Sequence, residues 1–115
     1  MRIIGEKKEK NYIMKIFGQM TLDHEIELKE HFEKLLEEER EIISGMRLQI
    51  NLSDVYYMDS VIIGVFVGLK KRLETSGIEL DFLNTPEIVL KVFRMLSLDK
   101  FFNFYECPEW REENE

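Results

Sequence analysis

The chain has one cysteine, Cys107, and two prolines in 115 residues. A lone cysteine forms no internal disulfide, which suits a reducing compartment and leaves core packing to hold the fold. The longest apolar run, Val61 to Leu69, is nine residues long and carries two glycines, against the roughly 20 residues needed to span a bilayer. No transmembrane helix is expected. The opening MRIIGEKKEK lacks the apolar stretch and small residues of a cleaved export signal, so a cytoplasmic location is expected. Phosphate-cradling patterns (G-x-x-x-x-G-K-[ST], or G-x-G-x-x-G after a strand) and a C-x-x-C pair are also missing, which removes support for nucleotide or thiol redox chemistry. Basic residues are in deficit: 16 against 23 acidic ones give a net charge of −7. That field repels nucleic acid and anionic membranes alike. The one compact basic cluster, Lys70-Lys71-Arg72, reads as the solvated end of a helix, where cations oppose the dipole.

What remains is an ordinary globular composition, 44% hydrophobic, 34% charged and 11% aromatic, long enough for one domain with its own core. Residues 1–106 are expected to form that domain and 107–115 an acidic tail. Arg2 to Glu6 and Tyr12 to Phe17 read as a hairpin, with Gly18 to Met20 ending its second strand. Thr21 or Asp23 is placed to cap a first helix whose apolar stripe is Leu28, Phe32, Leu35 and Leu36, ending near Ser44 and Gly45. Leu48, Ile50 and Leu52 alternate with polar residues as a strand, Ser53 to Met58 reads as a turn, and a second helix runs from Asp59 or Ser60 to Ser76. The first half of that helix is apolar on every side, so burial on more than one face is expected. Ile78, Leu80 and Phe82 mark another strand. Asn84-Thr85-Pro86-Glu87 starts a third helix carrying Ile88, Val89, Val92, Phe93 and Leu96, and Phe101 to Tyr105 is a final strand. The expected fold is α/β: a mixed sheet of about five strands, an antiparallel N-terminal hairpin, and three helices mostly on one face.

Gly64 and Gly68, four apart on a helix, are expected to permit close packing. His24 and His31, with Asp23 and Glu27 nearby, could be drawn as a metal site, but a solvated helix face explains them better. No metal or cofactor is expected. Ser60 stands out for a physical reason. At a helix N-terminus its hydroxyl lies among unpaired N–H groups and the positive dipole end, which favour an added anion. A cap by Asp59 or Ser60 is the simpler structural reading.

The run Asn51-Leu52-Ser53-Asp54-Val55-Tyr56-Tyr57-Met58-Asp59-Ser60-Val61-Ile62-Ile63-Gly64-Val65 resembles the signature of the STAS family, the domain of bacterial anti-sigma factor antagonists and of sulfate-transporter tails. Leu22-Asp23 resembles the family's leucine-aspartate step. Pro86 through Leu98-Asp99-Lys100-Phe101-Phe102 resembles its last helix. The resemblance covers essentially the whole chain and implies a non-enzymatic antagonist. Such a protein binds an anti-sigma factor that is also a serine kinase, releases a sigma factor, and is switched off by phosphorylation of Ser60, with a phosphatase resetting it. It implies a partner surface of Asp23, Asp59, Ser60, Val61 and Ile62. Val61 and Ile62 depart from the family's small hydroxyl residue and glycine, placing bulk beside the phosphoacceptor. An alternative keeps the fold as an unphosphorylated binding module in a stress-signalling assembly. A remoter one is a receiver domain phosphorylated on Asp54 or Asp59 with Thr85 and Lys100 assisting, although Gly5, Glu6 and Lys7 replace its metal-binding acids. The expected assembly is a monomer or a weak homodimer.

Overall fold

A computed structural model describes residues 1–38 and 46–107. Strands β1 (Arg2–Lys8) and β2 (Asn11–Met20) form the hairpin. A 3-10 turn (Leu22–His24) leads into α1 (Glu25–Glu38). Then come β3 (Arg47–Met58), α2 (Ser60–Glu74), β4 (Leu80–Leu83), α3 (Glu87–Met95) and β5 (Asn103–Tyr105). The sheet order is β1-β2-β3-β4-β5, antiparallel between the first two and parallel thereafter. This is the expected mixed sheet with an opening hairpin. Each parallel neighbour is reached through a crossover helix, so α1 and α2 both begin at the edge where β2 and β3 end.

Alternation along the strands assigns the two faces. Met14, Ile16, Leu48, Ile50 and Leu80 point into one core with Leu28, Phe66 and Phe93 of the helices. The core is threaded by rings: Phe82 on β4 lies 5.0 Å from Phe66, 5.5 Å from Phe93 and 5.1 Å from Phe102 by centroid. Such pairs contribute roughly 0.5–1.5 kcal/mol each beyond their buried area. Ile62, Ile63, Val65 and Phe66 of α2 are all buried, as expected for a helix apolar around its first turns.

The opposite face is polar at its β3–β5 end. Asp81 is 0% exposed there. It accepts hydrogen bonds from Arg47 Nε and Nη2 at 2.7 Å each, Gln49 Nε2 at 3.0 Å and Asn103 Nδ2 at 3.1 Å. Three strands are thereby tied through one carboxylate. Burial raises the Asp81 pKa, but the bonds from Arg47, Gln49 and Asn103 outweigh it and hold the carboxyl below its ordinary value.

Several boundaries differ from expectation. Ser53 to Met58 is strand, because Val55, Tyr56 and Tyr57 favour a pleated surface, and Val55 pairs with Gly18 and Tyr57 with Gln19 across a register shift that leaves Tyr56 between them. Gly18 does not end β2; its φ of 98° sits in that irregular stretch. Ile78 lies in the connection between α2 and β4 rather than in β4, its N–H closing the helix end by donating to Leu73 O at 3.0 Å. Gly77, at φ 69°, makes that closure. Phe101 and Phe102 precede β5. Gly64 and Gly68 are not close-packing positions: a Cβ at either meets nothing within 4 Å. The expected helix end at Ser44 and Gly45, and the acidic tail beyond Cys107, lie outside the described residues. Among the described residues no helix is long and apolar enough to cross a membrane.

Candidate functional site

The end of β2, the turn before α1 and the start of α2 converge on Asp59. Its backbone is extended (φ −99°, ψ 174°), which ends β3 and lets its side chain reach forward as a cap. Asp59 Oδ1 accepts the Ile62 N–H at 3.1 Å, and Oδ2 accepts the Leu22 N–H at 2.7 Å. The Asp59 N–H donates to Met20 O at 3.1 Å. One residue therefore caps α2 and pins the preceding turn to it. The turn has its own lock: the Thr21 N–H donates to His24 Nδ1 at 3.1 Å while the His24 N–H donates to Thr21 O at 2.8 Å. That geometry requires Nδ1 to carry no proton.

Ser60 is the first residue of α2 and is exposed, with Val61 half-buried beside it. Asp23 is exposed on the turn, one residue from the Leu22 amide that Asp59 holds. It does not cap α1, since the turn begins at Thr21. Ile62 corrects an expectation: it is 0% exposed, so its side chain belongs to the core and presents nothing to a partner. The bulk that replaces the small residues of the family signature is thus halved at the surface, leaving Val61 alone next to the hydroxyl.

One residue on this face was not singled out from the sequence: Ile26 is 72% exposed, beside Leu22 of the leucine-aspartate step at 61%. Ile26 could have been noticed, because it falls off the buried stripe of Leu28, Phe32 and Leu35. Tyr56 and Tyr57 near the end of β3 are also exposed.

Nothing in this arrangement activates Ser60 as a nucleophile. His24 is engaged with Thr21, and the His31 ring lies edge-on to Phe32 at 6.1 Å. No group of three metal-ligating side chains occurs among the described residues. Asp54, the alternative receiver aspartate, pairs with Lys15 at 3.0 Å. Arg72 pairs with Glu33, and Lys70 lies 3.9 Å from Glu74. Lys70 and Arg72 of the basic cluster are therefore engaged within the fold. Chemically, the junction offers an exposed hydroxyl that can receive a group from outside, framed by apolar side chains that can dock.

The family model of the STAS domain matches residues 2–108. An anti-sigma-B factor antagonist of Staphylococcus aureus is 28% identical over 103 residues, covering 89% of this chain and 90% of the relative. The anti-sigma-B factor antagonist of Bacillus subtilis is 41% identical over 54 residues, 47% of this chain and about half (50%) of that relative's length. The Bacillus cell fate determinant SpoIIAA in its phosphorylated form superposes with a TM-score of 0.67 at 16% identity, covering 99% of this chain and 100% of that one. At that identity the likeness bears on fold alone.

Proposed function

The chain belongs to the STAS domain family, and from that premise we propose that it is an anti-sigma factor antagonist, a binding protein rather than an enzyme. In this reading it docks on an anti-sigma factor that is also a serine kinase, freeing a sigma factor, until that kinase phosphorylates Ser60. A phosphatase resets the switch. The observation that carries the reading is the exposed Ser60 at the start of α2, held in place by the two hydrogen bonds that Asp59 accepts. The names of the relatives support the antagonist role. A phosphoryl group adds about −1.5 to −2 charges beside Asp59 and near Asp23, on a surface otherwise offering Leu22 and Ile26. Like-charge repulsion and desolvation then oppose docking. The partner face comprises Asp23, Asp59, Ser60 and Val61, with Ile62 acting only from the core.

The alternative, a constitutive binding module without the switch, rests on bulk beside Ser60. With Ile62 turned inward, only Val61 supports it. The test is to incubate the purified chain with the kinase-type anti-sigma factor of the same genome and ATP, then map phosphate by mass spectrometry. Acid-stable phosphate on Ser60 is expected. Ser60→Ala should bind like the unmodified chain and Ser60→Asp roughly tenfold or more weaker. Equal binding by the two variants defeats the charge switch, and binding of neither variant nor wild type defeats the antagonist role.

A further inference from the structure

Among the described residues β1 pairs with β2 alone, so its outer row of backbone N–H and C=O groups is open along seven residues. The opposite edge, β5, is only three residues long. We infer that the β1 edge is the contact for a second copy of this chain. Two β1 strands pair antiparallel about a two-fold axis at Ile4 and join two sheets into one. The contact is separate from the Ser60 face. Because β1 runs against β2, and Asp59 is tied to Met20 at the end of β2, the two Ser60 faces lie at opposite ends of the pair and stay open.

The hairpin decides which groups face outward. Lys8 and Asn11 close a two-residue turn, and the closing pair of such a turn exchanges its hydrogen bonds. Alternation then directs the backbone groups of Lys8, Glu6, Ile4 and Arg2 toward β2, and those of Ile3, Gly5 and Lys7 outward. Side chains alternate as well. Met1 and Ile3 pack against the core, while Arg2, Ile4 and Glu6 line the open face of the sheet. Ile4 is 50% exposed there, and the Arg2 guanidinium lies 4.4 Å from the centroid of the Phe17 ring. With the axis at Ile4, outward groups meet outward groups, as Ile3 of each copy faces Gly5 of the other. On the open face Ile4 meets Ile4, and each Arg2 meets the Glu6 of the other copy. That carboxylate has Lys8 of its own strand 3.7 Å away and gains a second cation. Neighbouring registers lose these matches. An axis at Gly5 sets Arg2 against Lys8 and Ile4 against Glu6, one at Glu6 sets the two glutamates against each other, and one at Ile3 sets Arg2 against Ile4 and leaves Glu6 unpaired. On the helix side Lys7 reaches the Met1 end of the other copy, where Glu27 and Glu30 line a cavity of about 400 Å³ with His31 and Lys34. Self-complementarity about one residue is what a two-fold contact requires and what a foreign strand would not need, which is the reason for a second copy as the occupant. With about five paired residues per copy the interface is small, so the dimer is weak.

Sedimentation velocity of the full chain from about 10 μM to about 1 mM should show reversible association, the range in which a small interface binds. Ile4→Lys sets like charges together at the axis, on a position that is already exposed, and should weaken association roughly tenfold or more while the melting temperature holds. Arg2→Glu and Glu6→Arg should each weaken it, and the two combined should restore it, because the swapped pair meets in the same register. Ile4→Cys on a Cys107→Ser background should oxidise to a covalent dimer, since facing Cα atoms at such a position are ~4.5 Å apart. A chain that stays monomeric throughout and gives no covalent dimer overturns the contact. Association that survives Ile4→Lys overturns β1 as its site. Single charge variants that weaken association without rescue by the double swap overturn the axis at Ile4.

Discussion

Replacing Asp81 by asparagine removes a charge from a fully buried position (0% exposed) that three side chains address. Deleting one partner of a buried ion pair costs roughly 3–5 kcal/mol when the other is left stranded. Here the discount is visible in the geometry. The Arg47 side chain is 41% exposed and regains water once released, so the low end applies. An asparagine oxygen still accepts from Gln49 or Asn103, returning about 1 kcal/mol. The expected loss for Asp81→Asn is therefore about 2–3 kcal/mol near neutral pH, a fall of about 10 °C in melting temperature at ~4 °C per kcal/mol. Folding depresses the Asp81 pKa, so the carboxylate's contribution is present above the unfolded carboxyl value of about 3.9 and is lost as pH falls through the lower folded value. Urea unfolding of both proteins at pH 7 and at stepwise lower pH measures the difference. The two curves should converge in strong acid. A variant as stable as wild type at pH 7, or a gap that does not shrink in acid, would show that the Arg47, Gln49 and Asn103 bonds do not set the energetics of this face.

Asp59→Ala should lose about 2 kcal/mol, because it removes a helix cap and a cross-loop acceptor together. Amide exchange at Leu22 and Ile62 should quicken in step, and unchanged exchange at Leu22 would refute the cross-loop bond. Gly77→Ala, at φ 69° in the turn just after α2, should lower stability by about 1 kcal/mol in denaturant titration. The Ser60→Ala and Ser60→Asp pair tests the switch in binding assays, as set out above.

Periodicity made the three helices and the order of strands legible, since Leu28, Phe32 and Leu35 or Leu48, Ile50 and Leu52 report burial on one side directly. Ser53 and Asp54 misled because their turn preference is local, whereas the strand they occupy is set by pairing with β2, remote in sequence. The same limit hid the Asp81 cluster: Arg47, Gln49, Asp81 and Asn103 fall on three strands, and only register brings them together. At the junction, the sequence placed Ser60 at a helix start, because an aspartate before an apolar run is a cap signal. It could not show that Asp59 also reaches Leu22, since nothing local in a 37-residue separation encodes that bond. Nor could it separate Val61 from Ile62, one partly outside and one fully inside.

The double engagement of Asp59 determines where a phosphate on Ser60 would point. Of the four leading N–H groups at this helix start, that of Ile62 is taken by the Asp59 carboxylate and that of Asp59 by Met20 O. An incoming anion finds only those of Ser60 and Val61, with a carboxylate already installed next to them. The protein thus supplies its own internal anion and leaves a poor cradle for a second. A phosphoryl group would stand outward, as a flag legible to a neighbour rather than a clamp that reshapes its bearer, and the two chemical forms of the chain should share one backbone.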